Sequence, residues 1–160
     1  MEKRIEKAVE YFKSGYNCSQ SVFAAFADLY GMDTETALKI SASFGGGIGR
    51  MRETCGAACG MFLLAGLQCG CCDPKDSAGK GNNYKVVQEL AEKFKEANGF
   101  LKCRDLLGLD KEKKESPMPS ERTKEYYAKR PCAEIVRNAA QIWADYEKEK
   151  LKDMESDDKA

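Results

Sequence analysis

Residues 55–68 read CGAACGMFLLAGLQ, a stretch without a single charged side chain. From residue 57 to residue 67 nearly every side chain is apolar or small. A helix that is apolar on every side is typical of the centre of a helical bundle. We therefore predict that this stretch forms the central helix of an all-α, single-domain bundle, with Thr54 as its N-cap.

The segments before this stretch carry helical periodicity and helix-end signals. Ile5 and Phe12 lie on one face of a first helix, which ends near Ser14. Asn17 and Gln20 have the spacing of a capping box and predict the start of a second helix. Asp33 is placed to cap a third helix.

The segments after the central stretch alternate between loops and helices. Residues 69–83 predict a loop, followed by a helix with Tyr84, Leu90 and Phe94 inward. A short helical turn is expected at about 103–107, a solvated loop at 110–125, and a last helix from Pro131. The whole pattern predicts about five to six helices and no strand.

The chain divides by composition into a domain and a tail. We predict one cysteine-rich helical domain over residues 1–146, a length that one compact fold accommodates. Residues 147–160 carry mixed charges and few apolar side chains. We expect this tail to be solvated and frayed.

Composition also excludes several classes of function. The formal net charge is zero, so the chain lacks the basic excess typical of nucleic-acid binding. No apolar run approaches membrane-spanning length, and we expect no membrane insertion. The first eight residues are charged and helical in pattern, unlike a signal peptide. We therefore expect a cytoplasmic protein.

The chain has eight cysteines and no histidine. Without histidine there is no imidazole base, no Cys–His catalytic pair and no mixed Cys/His zinc site. We expect no haem, because c-type attachment needs a histidine after its cysteines. In a reducing cytoplasm, this many cysteines favours thiols that carry out redox chemistry or hold a metal.

One group of cysteines shares a position. Each lies in the first turn of a predicted helix: Cys18, Cys55, Cys103 and Cys132. Helix N-termini carry a partial positive charge, which favours thiolate over thiol. A thiolate is the form that attacks disulfides and the form that binds metal. The simpler interpretation is that some of these cysteines only fill space in the core.

A second group is local in sequence. Cys55 and Cys59 share a helix face, and a glycine-containing loop carries three more thiols, Cys69, Cys71 and Cys72. Thiols this close are poorly placed for structural disulfides and suit soft-metal binding, thiol exchange or redox sensing better. We treat them as secondary metal-ligand candidates, beside the alternative of an incidental exposed cluster.

A glycine-rich turn precedes the central helix. It contains Gly45, Gly46, Gly47, Gly49 and Arg50, and Gly56 follows at the helix start. This turn is not a P-loop, because it has no Lys-Ser/Thr ending. We predict that it lets the backbone approach Cys55 or a bound cofactor, beside the simpler role of connecting two helices. The cations near the cysteines are candidates for stabilising thiolates: Arg50, Arg52, Lys102, Arg104 and Arg130.

Five segments together resemble the C_GCAxxG_C_C family of redox-active proteins: YNCSQ (16–20), FGGGIGR (44–50), CGAACG (55–60), CRDLLG (103–108) and CAEIV (132–136). The resemblance covers roughly residues 8–144. It implies a helical domain with four signature cysteines, on Cys18, Cys55, Cys103 and Cys132. Cys59, Cys69, Cys71 and Cys72 lie beyond the shared signature.

Three functions remain open at this point. The first is a thiol redox protein of thiol–disulfide oxidoreductase or electron-transfer type, with an unidentified redox partner. Its leading nucleophile would be Cys55, and its resolving thiol would be Cys18, Cys103 or Cys132. The second is a thiolate site for Zn²⁺ or an iron–sulfur cluster, held by the four helix-start cysteines. The third is a non-catalytic helical interaction protein with buried thiols. The sequence leaves the substrate, the disulfide pairing and the oligomeric state open.

Overall fold

The structure, a computed structural model, describes residues 1–110 and 115–157. Over this part of the chain it is all-α and forms no strand. The described elements are the α-helices α1 (Glu2–Lys13), α2 (Cys18–Ala24), α3 (Thr34–Ser41), α4 (Gly56–Cys69), α5 (Ser77–Asn98), α6 (Cys103–Leu106), α7 (Lys124–Lys129) and α8 (Cys132–Asp157), with short 3₁₀ turns at Ala27–Tyr30 and Ala42–Phe44. The all-α, single-domain prediction is confirmed, and the helices somewhat exceed the five to six expected.

Helix α4 is the central helix that its apolar sequence predicts. It packs against α2, α5 and α8. Its first six residues, 56–61, are all buried, and so are Leu64 and Ala65. Small residues allow this close packing: a Cβ added at Gly60 would lie 2.9 Å from the Val22 Cβ of α2.

The outer helices close the core around α4. Helix α1 packs against α8, and α5 packs against both α4 and α8. Trp143 of α8 and Phe12 of α1 are among the largest fully buried side chains. Phe94 is buried as predicted, but Tyr84 is 63% exposed, because the inward face of α5 runs through Val86, Leu90 and Phe94 instead. None of the described helices combines the length and the apolar character that a membrane span requires.

The predicted capping box at the start of α2 is confirmed. The Asn17 side chain accepts a hydrogen bond from the Gln20 backbone N–H, and the Gln20 side chain accepts one from the Asn17 backbone N–H. The Asp33 side chain caps α3 by accepting one hydrogen bond, from the Thr36 backbone N–H at 2.9 Å. These local rules were sufficient because each involves side chains only three residues apart.

Three predicted boundaries were wrong. Thr54 does not cap α4: Cys55 itself is the N-cap residue, without a side-chain cap. Helix α5 begins at Ser77, inside the predicted loop, because the Asp76 side chain accepts the Gly79 N–H. Helix α7 was also missed: it begins at the end of the predicted loop 110–125 and runs to Lys129, with its first turn capped by Thr123.

The last helix extends beyond residue 146, where the sequence predicts fraying. Helix α8 continues to Asp157, and two contacts hold this extension to the rest of the bundle. Tyr30 donates a hydrogen bond to Glu147, and Lys93 pairs with Glu149 at 3.8 Å. Residues 158–160 lie outside the described part, and the division into a domain over 1–146 and a tail stays a prediction.

Candidate functional site

One cavity of about 300 Å³ lies where the helix starts meet. All four helix-start cysteines line it: Cys18, Cys55, Cys103 and Cys132. The glycines and the arginine singled out in the sequence line it too: Gly45, Gly46, Gly47, Gly49, Arg50 and Gly56. We call this space the cysteine cavity.

Helix starts position all four thiols. Cys18, Cys103 and Cys132 are the first residues of α2, α6 and α8, and Cys55 is the N-cap residue of α4. Backbone hydrogen bonds join two of these starts: the Cys55 N–H donates to Leu101 O at 2.9 Å and the Cys103 N–H to Glu53 O at 2.7 Å. The four cysteines therefore reach one cavity from segments far apart in sequence.

Cys18 and Cys132 are neighbouring thiols of the cavity, and each shifts the pKa of the other. The Cys18 thiol, together with nearby Arg130, Arg122 and Arg52, lowers the pKa of Cys132 to about 7, against the opposing effect of burial. The same interaction and burial raise the pKa of Cys18 well above its usual range. The surroundings therefore favour the thiolate at Cys132 and the protonated thiol at Cys18.

The other two cavity thiols have the opposite character. Burial raises the pKa of Cys55 to about 12, although the Ala57 and Ala58 backbone N–H groups oppose this shift. Burial also raises the pKa of Cys103, against the opposing hydrogen bond from Arg52, whose guanidinium lies 3.7 Å from the sulfur. The environment therefore does not favour Cys55 as nucleophile: desolvation outweighs the helix end there, and Cys132 is the more acidic thiol.

The glycine-rich turn holds an unusual backbone conformation beside these thiols. Residues 46–50 all have positive φ, including Ile48 at 62° and Arg50 at 65°. Left-handed backbone costs about 1–2 kcal/mol for a residue with a side chain, so glycines are needed through most of this run. At Gly47 an added Cβ would lie 2.6 Å from the Cys103 Cβ. The turn thus approaches the cysteines closely, with Gly47 packed against Cys103.

Residues 115–122 cover one side of the cysteine cavity. Glu115 accepts from both Arg50, at 3.1 Å, and Arg52, at 3.0 Å, and these two arginines lower the pKa of its carboxyl. Arg50 also donates to the Met118 backbone oxygen. Pro117 and Pro119 line the cavity from this segment.

Sequence reasoning missed two functional candidates, Arg122 and Tyr126. Both line the cysteine cavity, and the Arg122 guanidinium lies 4.7 Å from the centre of the Tyr126 ring. They lie in and after a segment that its prolines and charges mark as a solvated loop, so only the three-dimensional contacts reveal them. Of the cations named from the sequence, Arg50, Arg52 and Arg130 line the cavity; Lys102 and Arg104 do not.

The remaining cysteines lie elsewhere. Cys59 is buried one turn into α4, with its thiol 3.8 Å from Thr54 O, and does not line the cavity. Cys69 ends α4 at the other end of the helix, and Cys71 and Cys72 follow in the loop. Among the side chains that the structure describes, no three of His, Cys, Asp or Glu form a group suited to hold a metal ion.

No curated protein and no solved structure matches the chain. One family model does, over residues 16–146, which is most of the chain, and its description reads "Putative redox-active protein (C_GCAxxG_C_C)". The matched range contains all four cavity cysteines, the glycine-rich turn and the cavity arginines. The chain therefore belongs to the C_GCAxxG_C_C family.

Proposed function

We propose that this protein carries out thiol–disulfide exchange, with Cys132 as the nucleophile and Cys18 as the resolving thiol. The observation that carries the proposal is that Cys18 and Cys132 line one cavity together with Arg52, Arg122 and Arg130, surroundings that lower the pKa of Cys132. A lowered pKa increases the share of thiolate at neutral pH, and thiolate is the form that attacks disulfides. The family description, redox-active, agrees with this chemistry.

The exchange proceeds in two steps. The Cys132 thiolate attacks one sulfur of a disulfide R–S–S–R, the S–S bond breaks, one R–S⁻ leaves, and the other R–S group stays on Cys132 as a mixed disulfide. Cys18 then attacks the Cys132 sulfur, releases the second R–S group and gives up its proton to a departing thiolate. The protein pair is oxidised by two electrons to a Cys18–Cys132 disulfide, and R–S–S–R is reduced to one thiol and one thiolate, which takes its proton from solvent.

The residues around the pair support this division of roles. Arg130, Arg122 and Arg52 favour the thiolate at Cys132, and Cys132 opens a long helix whose N-terminal end adds a partial positive charge. Burial keeps Cys55 protonated at neutral pH, and it raises the pKa of Cys103 as well. We place the protein in the cytoplasm, where the thiol pair is returned to its reduced form by the cellular thiol pool.

The test is peptide mapping after reaction of the reduced protein with a small disulfide. Wild type should yield linked Cys18 and Cys132 peptides. Cys18→Ser keeps a hydroxyl donor but cannot resolve, so the mixed disulfide should accumulate on Cys132. Cys132→Ser should abolish both products, whereas Cys72→Ser, at an exposed thiol outside the cavity, should leave them unchanged.

Two results would contradict the proposal. One is a mixed disulfide that forms at wild-type rate on another cysteine of Cys132→Ser. The other is slow and uniform reaction of all buried thiols, appearing only on unfolding, which would instead support the non-catalytic interaction protein.

A thiolate metal site is the second candidate, because four thiols line one cavity. Thiolates are the donors that Zn²⁺ and iron–sulfur clusters use. The described side chains, however, do not form a group of three suited to a metal, which ranks this function below exchange. Metal and acid-labile sulfide analysis of anaerobically purified protein decides: stoichiometric zinc, or iron with sulfide, would make the cysteines ligands rather than nucleophiles.

A further inference from the structure

The cysteine cavity is lined by charge of one sign. Four arginines line it: Arg50, Arg52, Arg122 and Arg130. No aspartate or glutamate is among its lining residues in the described part of the chain. Glu115 forms an ion pair with both Arg50 and Arg52, so one carboxylate neutralises only part of the charge of two guanidiniums. The cavity therefore has an excess of positive charge within a chain whose formal net charge is zero.

Two of these cations have no acidic partner. Arg122 and Arg130 form no ion pair with any acidic side chain that the structure describes. Aromatic rings hold them instead: Arg122 lies 4.6 Å from the Phe12 ring centre, and Arg130 lies 4.8 Å from that of Tyr126. The guanidiniums are thus held in place beside Cys132 before any ligand arrives, which lowers the entropic loss on binding.

Three of the arginines also keep buried N–H groups without a partner. Within the described part of the molecule, no hydrogen bond reaches Arg50 Nε, Arg52 Nε or Arg122 Nη1. Arg52 is the strongest case, because the residue is only 4% exposed. Buried donors on a charged group are normally satisfied, and an unsatisfied one is costly. Their concentration around one cavity points to an anionic acceptor.

We infer that the cysteine cavity takes a small disulfide that carries carboxylate or sulfonate groups, which the four arginines bind while Cys132 attacks the S–S bond. This inference rests on the proposed function and names its substrate class. A cavity of about 300 Å³ suits a small molecule rather than a folded protein partner. Apolar side chains of Leu106, Leu107 and Ile135 also line it and would contact the short carbon chains of such a compound.

Charge makes the inference testable, because an isolated thiolate repels an anionic disulfide. Without the arginines, the thiolate should react fastest with a cationic disulfide, more slowly with a neutral one and slowest with an anionic one. With the arginines, the anionic disulfide should react fastest and the cationic one slowest. Three disulfides of similar size serve as probes: dithiodipropionate, which is anionic; 2-hydroxyethyl disulfide, which is neutral; and cystamine, which is cationic.

The experiment measures the second-order rate constant for oxidation of the reduced protein by each probe. Wild type should react about tenfold faster with dithiodipropionate than with 2-hydroxyethyl disulfide, and slowest with cystamine. The advantage should shrink as salt rises, because the Debye length falls. Each variant is compared by its ratio of anionic to neutral rates, since that ratio cancels any change in the thiolate fraction of Cys132.

Arg122→Gln and Arg130→Gln should each lower this ratio severalfold. The matched control is Arg137→Gln, because Arg137 lies on the same helix as Cys132 but pairs with Glu6 outside the cavity. Either cavity variant suffices if the other fails to fold, as judged by its helical circular dichroism. A wild-type ratio of one or less overturns the substrate class while leaving exchange intact. Absence of a Cys18–Cys132 disulfide with all three probes overturns the proposed function itself.

Discussion

The two ends of helix α4 both carry cysteines, but in opposite surroundings. At the cavity end, Cys55 is the N-cap residue and lies with Cys18, Cys103, Cys132 and the cavity arginines around one space. At the loop end, Cys69 is the last helical residue. Cys71, which is half-buried, and Cys72, which is exposed, follow it in the loop. We refer to these as the cavity end and the loop end.

The charges at the two ends are also opposite. The N-terminal side of a helix is partially positive and its C-terminal side partially negative. At the loop end, Cys71 donates to Asp76 at 3.2 Å, and this hydrogen bond to a carboxylate raises the pKa of the thiol. At the cavity end, a thiol donor and three arginines lower the pKa of Cys132. Counting cysteines therefore does not locate the reactive one, whereas the charge around each sulfur does.

The largest expected difference between the ends concerns packing. Alanine at Gly56 would place a Cβ 2.9 Å from Phe44 O and 3.3 Å from the Cys18 Cβ, whereas alanine at Gly66 would meet nothing within 4 Å. Gly56→Ala should lower the free energy of unfolding by about 1–3 kcal/mol through overpacking. Gly66→Ala should raise it by about 1 kcal/mol, the helix-propensity gain. Urea unfolding measures both.

Equal effects of the two substitutions would show that the cavity end is not tightly packed. The comparison would then lose its structural basis, although the charge difference would stand.

The second expected difference concerns pH. Site-resolved alkylation by iodoacetamide should show the rate at Cys132 rising as pH increases through about 7, because the thiolate is the reacting form. The rate at Cys71 should level off at higher pH than the rate at Cys132, because the hydrogen bond to Asp76 raises the pKa of Cys71. At pH 7, Cys132 should react about tenfold faster, after allowance for the weaker intrinsic nucleophilicity of a low-pKa thiolate.

The unfolded protein in urea is the control, because there both thiols should titrate alike. A profile for Cys132 that matches Cys71 in the folded protein would argue against the lowered pKa on which the comparison depends.

The smallest expected effect comes from removing the negative charge at the loop end. Asp76→Asn retains an oxygen that can cap α5 through Gly79 but loses the carboxylate that holds the Cys71 proton. The pKa of Cys71 should fall toward its ordinary value, and its alkylation at pH 8 should speed up about twofold. The rate at Cys132 should not change. A change at both cysteines would indicate that the two ends are coupled.

Local signals predicted local structure well. The capping box at Asn17 and Gln20 and the placement of four cysteines at helix starts both depend on residues a few positions apart. The apolar stretch of residues 55–68 likewise predicted a central helix from its own composition. Helix ends in mixed sequence were harder, as the unexpected start of α5 at Ser77 shows.

Properties that depend on distant segments were not predictable from spacing. Cys55 has the helix end and the glycine-rich turn that suggest a nucleophile, yet burial by the surrounding helices raises its pKa to about 12. Arg122 comes from a segment that looks like a solvated loop but stacks on Phe12 beside the cavity. The identity of the acidic thiol therefore required the contacts among α2, α7 and α8.

The distance along the chain between Cys18 and Cys132 has a thermodynamic consequence. If the proposed function is right, oxidation joins the starts of α2 and α8 and closes a loop of about 115 residues. In the loop-entropy model, this disulfide raises the free energy of the unfolded chain, and so the stability of the fold, by about 5 kcal/mol. By linkage, the same free energy appears in the reduction potential, about 100 mV for a two-electron couple. The melting temperature would thus depend on the redox potential of the surroundings, because the oxidised form is the more stable one. Any partner that binds the oxidised fold more strongly than the reduced one would make the disulfide harder to reduce.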